Sequence, residues 1–207
     1  VGSYSYTGKA KGITVFDVDV ENGMFKERCE IEVDNSSYVI ASSDGKTLYS
    51  IADEGVVSFR ILPNGSLARL NSSSIRGMRG CHLCTDEEDK YVFVSGYHDG
   101  KTTVLNLNPD GSVGKIVDGV FDRGYGSVAE RNFRPHVTCT RRMPDNRFVL
   151  SVDNGIDQVK IYRFNDKEQK LVQVDAIRCD LESAPRHFRY SKDGKFIYLM
   201  YELKKAI

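Results

Sequence analysis

The sequence predicts an all-β fold, because short apolar strands recur behind similar turns and no helical periodicity separates them. The turns return at intervals of about 50 residues, a spacing typical of repeat architectures. They are Ser43-Asp44-Gly45-Lys46, Glu88-Asp89-Lys90, Pro144-Asp145-Asn146-Arg147 and Asp193-Gly194-Lys195. Four strands in each repeat are typical of a propeller blade rather than of a sandwich or a βαβ unit. The sequence therefore predicts a β-propeller of four-stranded antiparallel blades.

Each repeat predicts its strands in the same order. A short hydrophobic strand follows the turn, an alternating strand comes next, and a polar turn then leads to a last strand. The first of these strands are predicted at 47–50, 91–95, 148–152 and 196–200, and the second at 56–61, 102–107 and 159–164. The strand Gly12–Asp19 indicates the outer part of another blade.

About four blades fit into the chain, which we predict to be a single domain over residues 1–207. The sequence ends at Lys204-Lys205-Ala206-Ile207, where the last blade should continue. We therefore expect a domain incomplete at its C-terminus, whose unpaired blade edges favour self-association. The segment 118–134 is predicted to be a long loop, either a functional insertion at the channel mouth or a plain surface loop.

The composition indicates a soluble globular protein with no global electrostatic preference. Twenty-nine basic residues balance twenty-nine acidic ones, so neither nucleic acid nor an anionic membrane is an expected partner. No apolar run is long enough to span a bilayer, and the N-terminus lacks a signal-peptide pattern, which predicts a cytoplasmic protein. The five cysteines are odd in number and unevenly spaced, as expected for buried thiols in a reducing compartment.

The last predicted hairpin brings opposite charges together. Arg186 and Glu202 are equidistant from Gly194, and such residues face each other in an antiparallel pair, with Cβ atoms about 5 Å apart. The positions equivalent to Arg186 and Glu202 in the other repeats hold different residues: Ser37, Cys81 and Thr138 before the turns, and Asp53, Tyr97 and Asn154 after them. The last repeat alone therefore carries both charges.

His136 is the third candidate site residue. It precedes Thr138 by one strand period, which places it on the same face as the position equivalent to Arg186. In a propeller the first strands line the central channel, so His136, Arg186 and Glu202 could converge on a small anionic ligand. An ordinary ion pair beside a solvated histidine explains the spacing equally well. His82 and His187 fall out of phase with that face, and we expect them to pack between blades or to bond to backbone.

No metal or cofactor is predicted. Cys81-x-x-Cys84 has no second cysteine pair to complete a zinc site, and the segment 17–23 has its glycine in the wrong place for a calcium loop. No Gly-x-Ser-x-Gly elbow, phosphate-cradling loop or dinucleotide fingerprint occurs, which argues against serine hydrolases, nucleotide-dependent enzymes and dehydrogenases.

Short segments along the whole chain resemble the lactonase family of seven-bladed propellers, which includes bacterial 6-phosphogluconolactonases and the fungal 3-carboxymuconate lactonising enzyme. The segments are Gly2-Ser3-Tyr4-Ser5, Gly12-Ile13-Thr14-Val15-Phe16, Gly80-Cys81-His82-Leu83, Arg134-Pro135-His136, Asp153-Asn154-Gly155-Ile156-Asp157, Ala184-Pro185-Arg186-His187 and Tyr201-Glu202-Leu203. The resemblance implies seven blades and catalytic-site roles for His136, Arg186 and Glu202. Thr138 stands where the family often has a second histidine, and a further family arginine expected from later blades is absent.

The function expected from this resemblance is metal-free hydrolysis of a sugar lactone, most readily 6-phosphogluconolactone. His136 or Glu202 would deprotonate the attacking water, and a neutral imidazole needs the smaller pKa adjustment. Arg186 would bind an anionic group or the developing oxyanion, and Glu202 would orient Arg186 or exchange protons with the lactone oxygen. Lactone formation from a carboxymuconate, and a non-catalytic propeller that binds a protein partner, are the alternatives.

Overall fold

The computed structural model describes residues 1–126, 133–204 and 207. Over these residues the chain forms antiparallel strands and no helix, so no described helix could cross a membrane. In chain order the strands are β1 Gly12–Asp19, β2 Met24–Glu32, β3 Val39–Ala41, β4 Thr47–Ala52, β5 Gly55–Ile61, β6 Leu67–Ser74, β7 His82–Thr85, β8 Tyr91–Gly96, β9 Lys101–Leu107, β10 Val113–Phe121, β11 Val137–Arg142, β12 Val149–Asp153, β13 Gln158–Asn165, β14 Lys170–Arg178, β15 Pro185–Tyr190 and β16 Ile197–Tyr201.

The strands form five sheets in which chain neighbours pair. Three sheets have four strands each, in the orders β3-β4-β5-β6, β10-β9-β8-β7 and β11-β12-β13-β14, and β1-β2 and β15-β16 are two-stranded. The predicted four-stranded antiparallel blades are therefore confirmed. One boundary was wrong: 118–121, predicted as loop, belong to β10, where pairing with β9 continues through a register shift. Glu130 and Arg131 of the predicted loop lie outside the described residues.

Successive sheets stack face to face. Each of four hydrophobic clusters takes side chains from two sheets that follow each other along the chain. Their centres are Ile13 with Phe59, Tyr49 with Leu83, Phe93 with Phe164, and Leu150 with Phe188, all at most 2% exposed apart from Phe164 at 4% and Leu150 at 3%. Because each four-stranded sheet packs against a neighbouring sheet on both faces, the arrangement is that of propeller blades.

The four repeated turns have one geometry. Gly45, Asp89, Asn146 and Gly194 have φ values of 69°, 50°, 58° and 68°. The N–H group of each donates to a carbonyl three residues earlier, at 2.8 to 3.2 Å. Aspartate and asparagine tolerate the left-handed region better than other side chains do. The alignment of Asp89 and Asn146 with the two glycines is therefore confirmed.

Side chains at equivalent positions near the first strand of one blade donate hydrogen bonds to the backbone near the first strand of the next blade. Ser37 Oγ donates to the carbonyl of Gly80 at 3.4 Å, and Cys81 Sγ donates to that of Val137 at 3.4 Å. Thr138 Oγ1 donates to the carbonyl of Arg186 at 2.7 Å. The three donors occupy the positions aligned with Arg186, so this part of the repeat holds neighbouring blades together. Arg186 is the member of the series that carries a charge.

We predict that the chain self-associates through the β15-β16 sheet. Phe196, Ile197, Tyr198 and Met200 are 60%, 42%, 57% and 45% exposed, and β16 pairs only with β15 within the described part of the chain. Apolar, unpaired edges attract further strands. Light scattering should show species larger than a monomer, and Tyr198→Lys should reduce them.

The matched control for this prediction is Tyr125→Lys, which places the same charge at a loop side chain that is 95% exposed. It should leave the association unchanged. A monodisperse monomer, or equal effects of the two substitutions, would contradict the role of this edge.

Candidate active site

The β15-β16 hairpin joins Arg186 to Glu202, as the sequence predicted. Arg186 Nη1 lies 2.5 Å from Glu202 Oε2. The predicted register was wrong, however, because Pro185 pairs with Tyr201 and His187 with Met200, with a bulge between the two pairs. Arg186 occupies this bulge. A bulged residue has no direct cross-strand partner and its side chain is re-aimed, which lets the guanidinium reach Glu202 just beyond β16.

Arg186 and Glu202 border a cavity of about 420 Å³, which lies within the usual range for small-molecule sites. Its other lining residues come from several sheets and are Tyr4, Ser37, Tyr38, Cys81, His82, Tyr97, His98, Thr138 and His187. The three residues aligned with Arg186, which are Ser37, Cys81 and Thr138, are all among them. The repeat therefore brings equivalent positions of successive blades to one cavity, as expected for inner strands of a propeller.

His136 lies beside this cavity, and within the described structure it is not one of the lining residues. Its ring stacks on the ring of Tyr97, with centroids 4.3 Å apart, and is 4% exposed. Its Nδ1 lies 2.6 Å from the Tyr97 carbonyl oxygen, which can only accept, so Nδ1 carries the proton. Burial lowers the pKa of His136 below its ordinary value, which favours the neutral ring. Tyr97 thus separates His136 from the cavity.

Asn154 connects His136 to Glu202. Its backbone N–H donates to the His136 carbonyl at 2.9 Å, and its Nδ2 donates to Glu202 Oε2 at 3.2 Å. The Glu202 carboxylate therefore accepts from Asn154 and Arg186 on the same oxygen. Through Asn154, the segment that holds His136 also orients the carboxylate that borders the cavity.

Sequence reasoning did not assign Tyr97, His98 or Asn154 to the site. Tyr97 and Asn154 occupy the positions aligned with Glu202, so the repeat already contained the signal. They were not selected because the sequence analysis looked for charged residues at these positions, and both side chains are uncharged. His98 follows Tyr97 and has no equivalent signal of its own. Asp53, the remaining aligned residue, instead pairs with Arg79 at 2.9 Å.

We predict that Gly155→Ala disrupts the His136 segment. A Cβ at this position would lie 1.7 Å from the Arg134 carbonyl oxygen and 2.8 Å from His136 Cδ2. One of these segments must move, and overpacking of this kind typically costs about 1–3 kcal/mol. Thermal unfolding should show the loss.

Gly119→Ala is the control for this substitution, because its Cβ would meet the flexible end of Lys101 at 3.0 Å. It should unfold close to the parent. Equal stability of the parent and Gly155→Ala would contradict this prediction, because it would mean that the loop can move aside with no loss in the free energy of unfolding.

His82, Cys139 and His187 form a cluster in which the potential ligand atoms lie within 4.8 Å of one another. Arg141 Nη2 can only donate and lies 3.1 Å from His82 Nε2, so the lone pair of His82 Nε2 accepts this hydrogen bond. Desolvation and the Arg141 charge lower the pKa of His82 well below its ordinary value. A guanidinium on the ligand atom does not fit a cation, so we assign no metal here. His82 packs between sheets as expected, but it also borders the cavity, as does His187.

The cavity cysteine is poorly suited to be a nucleophile. Burial raises the pKa of the Cys81 thiol to about 12, so the reactive thiolate is scarce near neutral pH. Its Sγ also donates to the Val137 carbonyl. The Cys81-x-x-Cys84 pair consists of free thiols that are half-buried, whereas the sequence predicted buried cysteines; Cys139 is the fully buried one. Water is therefore the better nucleophile for chemistry in this cavity.

Stacked antiparallel sheets with a polar cavity at their first strands define a β-propeller. The chain belongs to the family described as "Lactonase, 7-bladed beta-propeller", whose sequence model matches residues 1–207. A 6-phosphogluconolactonase of Bacillus subtilis (strain 168) is 30% identical over 213 residues, covering 100% of this chain and 60% of its own. This chain thus spans about 60% of the length of that curated relative.

Solved structures with lactonase names also have the same fold as this chain. The periplasmic gluconolactonase of Pseudomonas aeruginosa superimposes with a TM-score of 0.88 at 26% identity, covering 98% of this chain and 61% of that one. A Bacteroides fragilis protein with a provisional 6-phosphogluconolactonase name superimposes with a TM-score of 0.90 at 33% identity, over 98% of this chain and 60% of its own. The family resemblance predicted from the sequence is confirmed.

Proposed function

We propose that the protein hydrolyses a sugar lactone, 6-phosphogluconolactone before others, by attack of water in the cavity. The observation that carries the proposal is the Arg186–Glu202 pair, a cation and a carboxylate 2.5 Å apart in the wall of a polar cavity. Ester opening needs a group that removes a proton and a group that binds developing negative charge. The names of two relatives, a 6-phosphogluconolactonase and a gluconolactonase, support a lactone as the substrate.

The proposed reaction moves one proton in each of two steps. The water oxygen bonds to the lactone carbonyl carbon while its proton passes to a base, and the carbonyl oxygen becomes an oxyanion. The bond from that carbon to the ring oxygen then breaks, and the proton is returned to the ring oxygen. The products are a carboxylic acid, which ionises near neutral pH, and a free hydroxyl group.

Arg186 is proposed to bind the oxyanion or the anionic group of the substrate. A guanidinium carries five N–H donors in a planar fork, and Nη1 directs one of them to Glu202. The fork suits the paired oxygens of a phosphate or carboxylate. The Arg186 side chain is 53% exposed toward the cavity and solvent, so substrate can reach it.

Glu202 is proposed as the base, because it borders the cavity and His136 lies behind Tyr97. Its side chain is 22% exposed and is oriented by Asn154. His136 is then a positioning residue, and its neutral ring remains the second candidate for the base. We propose that no metal takes part, since these side chains supply both functions.

The test is a pH-stat or NMR assay of 6-phosphogluconolactone opening, with spontaneous hydrolysis as the internal baseline. Glucono-lactone without phosphate is the paired substrate, and each assay is repeated with a chelator. We expect opening above the baseline, faster with the phosphorylated lactone and unchanged by the chelator. No added rate across a panel of lactones would overturn the proposal.

The cytoplasm is the proposed compartment, because Cys29, Cys81, Cys84, Cys139 and Cys179 are all free thiols. The Pseudomonas aeruginosa gluconolactonase is named as periplasmic, so members of this fold also work elsewhere. Cell fractionation with an antibody against the chain would distinguish the two.

A further inference from the structure

Two buried carboxyl groups lie near each other beside the His136 segment. Asp153 ends β12 and is 0% exposed, and Asp122 follows β10 and is 8% exposed. Each carboxyl group lies close enough to the other to affect its pKa. The Oδ2 atom of each is buried and has no hydrogen-bond partner among the described residues, which leaves these two oxygens free to share a proton. A hydrogen bond between two carboxyl groups requires a proton, since ionised carboxylates only accept.

The remaining oxygen of each aspartate has strong donors. Asp153 Oδ1 accepts from the backbone N–H groups of His136 and Gly155, both at 2.9 Å. Asp122 Oδ1 accepts from the Tyr162 hydroxyl at 2.7 Å. Asp153 therefore holds both ends of the contact between the His136 segment and the loop after β12.

The other charged group that acts on the pair is Lys160 on β13, which favours the ionised form of Asp122. Burial outweighs it. Burial and then the neighbouring Asp122 charge raise the pKa of Asp153 to about 8, and burial also raises the pKa of Asp122. One proton is consequently retained by the pair at neutral pH.

We propose that Asp122 and Asp153 are a proton-sharing pair that positions the active-site loop, with Asp153 holding His136 and, through Asn154, the Glu202 carboxylate. The catalytic part of this inference rests on the proposed lactonase function. The proton sharing does not. When the shared proton is lost, two buried negative charges face each other, and the contact between the loop and the His136 segment weakens.

The sign of the pH effect follows from the raised pKa. The folded chain retains a proton that the unfolded chain releases near pH 4, so stability falls as pH rises from that value. The fall ends once the pH has passed the folded pKa of about 8. Replacing either carboxyl by an amide removes the shared proton and should reduce this slope, because only the burial of the remaining carboxyl still raises its pKa.

The decisive measurement is NMR of the His136 and Gly155 backbone amides in the full chain between pH 6 and 10. We expect both resonances to titrate together with a midpoint near 8. In Asp122→Asn the titration should move to lower pH, because the neighbouring charge is gone and an amide N–H can donate to Asp153. Asp175→Asn, at an exposed site on β14, should titrate like the parent. Flat amide shifts in the parent, or an unchanged titration in Asp122→Asn, would overturn the inference.

Kinetics test the positioning role. Asp153→Asn retains an oxygen that accepts from His136 and Gly155, so its kcat near pH 7 should match that of the parent. Asp153→Ala loses this acceptor, and a misplacement of about 1 Å can cost up to roughly 100-fold in kcat with little change in KM. A parent-like kcat in Asp153→Ala would overturn the role. If that variant does not fold, the amide titration of Asp122→Asn still decides the proton sharing.

The two proposals fail in different ways. A parent that opens no lactone but shows titrating amides refutes the proposed function and retains the proton-sharing pair. A parent that opens lactones but shows flat amides refutes the pair and retains the proposed function.

Discussion

Arg186→Lys is expected to lower kcat for lactone opening by about 100- to 1000-fold, the typical cost of losing one transition-state contact. Lysine keeps the positive charge but lacks the planar fork, so it cannot bind two oxygens of a phosphate or an oxyanion in the same way. Initial rates of 6-phosphogluconolactone opening, corrected for spontaneous hydrolysis, measure the loss. The arginine of the ion pair with Glu202 is half exposed, so the substitution should lower the free energy of unfolding by only about 0–1 kcal/mol.

Arg189→Lys provides the matched control. Arg189 lies on the same strand, is exposed, and is not among the described residues that border the cavity. Its substitution should leave the rate unchanged. If Arg186→Lys melted like the parent and opened the lactone at the parent's rate, Arg186 would have a structural role only.

The repeat made most of the fold predictable from the sequence. Asp-Gly and its substitutes mark each turn because the chain needs a left-handed residue there, and Asp89 and Asn146 meet that need as Gly45 and Gly194 do. The inner strands then follow from their short apolar runs, because the blades in the middle of the chain are buried on both faces. The end of β10 was missed because its pairing continues through an irregular register that alternation does not reveal.

The site was less predictable because it depends on local irregularity. Counting from Gly194 placed Arg186 opposite Glu202, but a bulge separates the two pairings around Arg186, and the contact is made by side chains rather than by register. The same regular counting placed His136 on the channel face. It precedes β11, whose pairing with β12 is also bulged, and its ring turns against Tyr97 instead. A two-residue period cannot anticipate such shifts.

The blade-to-blade contacts distinguish Arg186 from the residues aligned with it. Ser37, Cys81 and Thr138 use their short side chains to bond to the next first strand, which closes each interface. The longer guanidinium of Arg186 reaches Glu202 instead. A position that joins blades elsewhere in the repeat therefore places a charge at the cavity here.

Glu202→Gln is expected to lower kcat by about 100- to 10,000-fold, the usual contribution of a general base. The amide keeps an oxygen that can accept from Arg186 and Asn154, so the geometry of the hairpin should persist. It cannot take the proton of the attacking water. Single-turnover rates across pH 5 to 9 measure the loss, and Glu168→Gln, in the exposed turn between β13 and β14, is the control with no expected change.

His136→Ala distinguishes the base from its support. If His136 only positions Tyr97 and Asn154, His136→Ala should lower kcat less than Glu202→Gln does. The pH–rate profile should keep its shape. Burial lowers the pKa of His136 below its ordinary value, so a catalytic imidazole would instead produce an acid limb below that value. If that limb disappeared in His136→Ala and kcat fell as far as in Glu202→Gln, His136 would be the base and Glu202 the positioning residue.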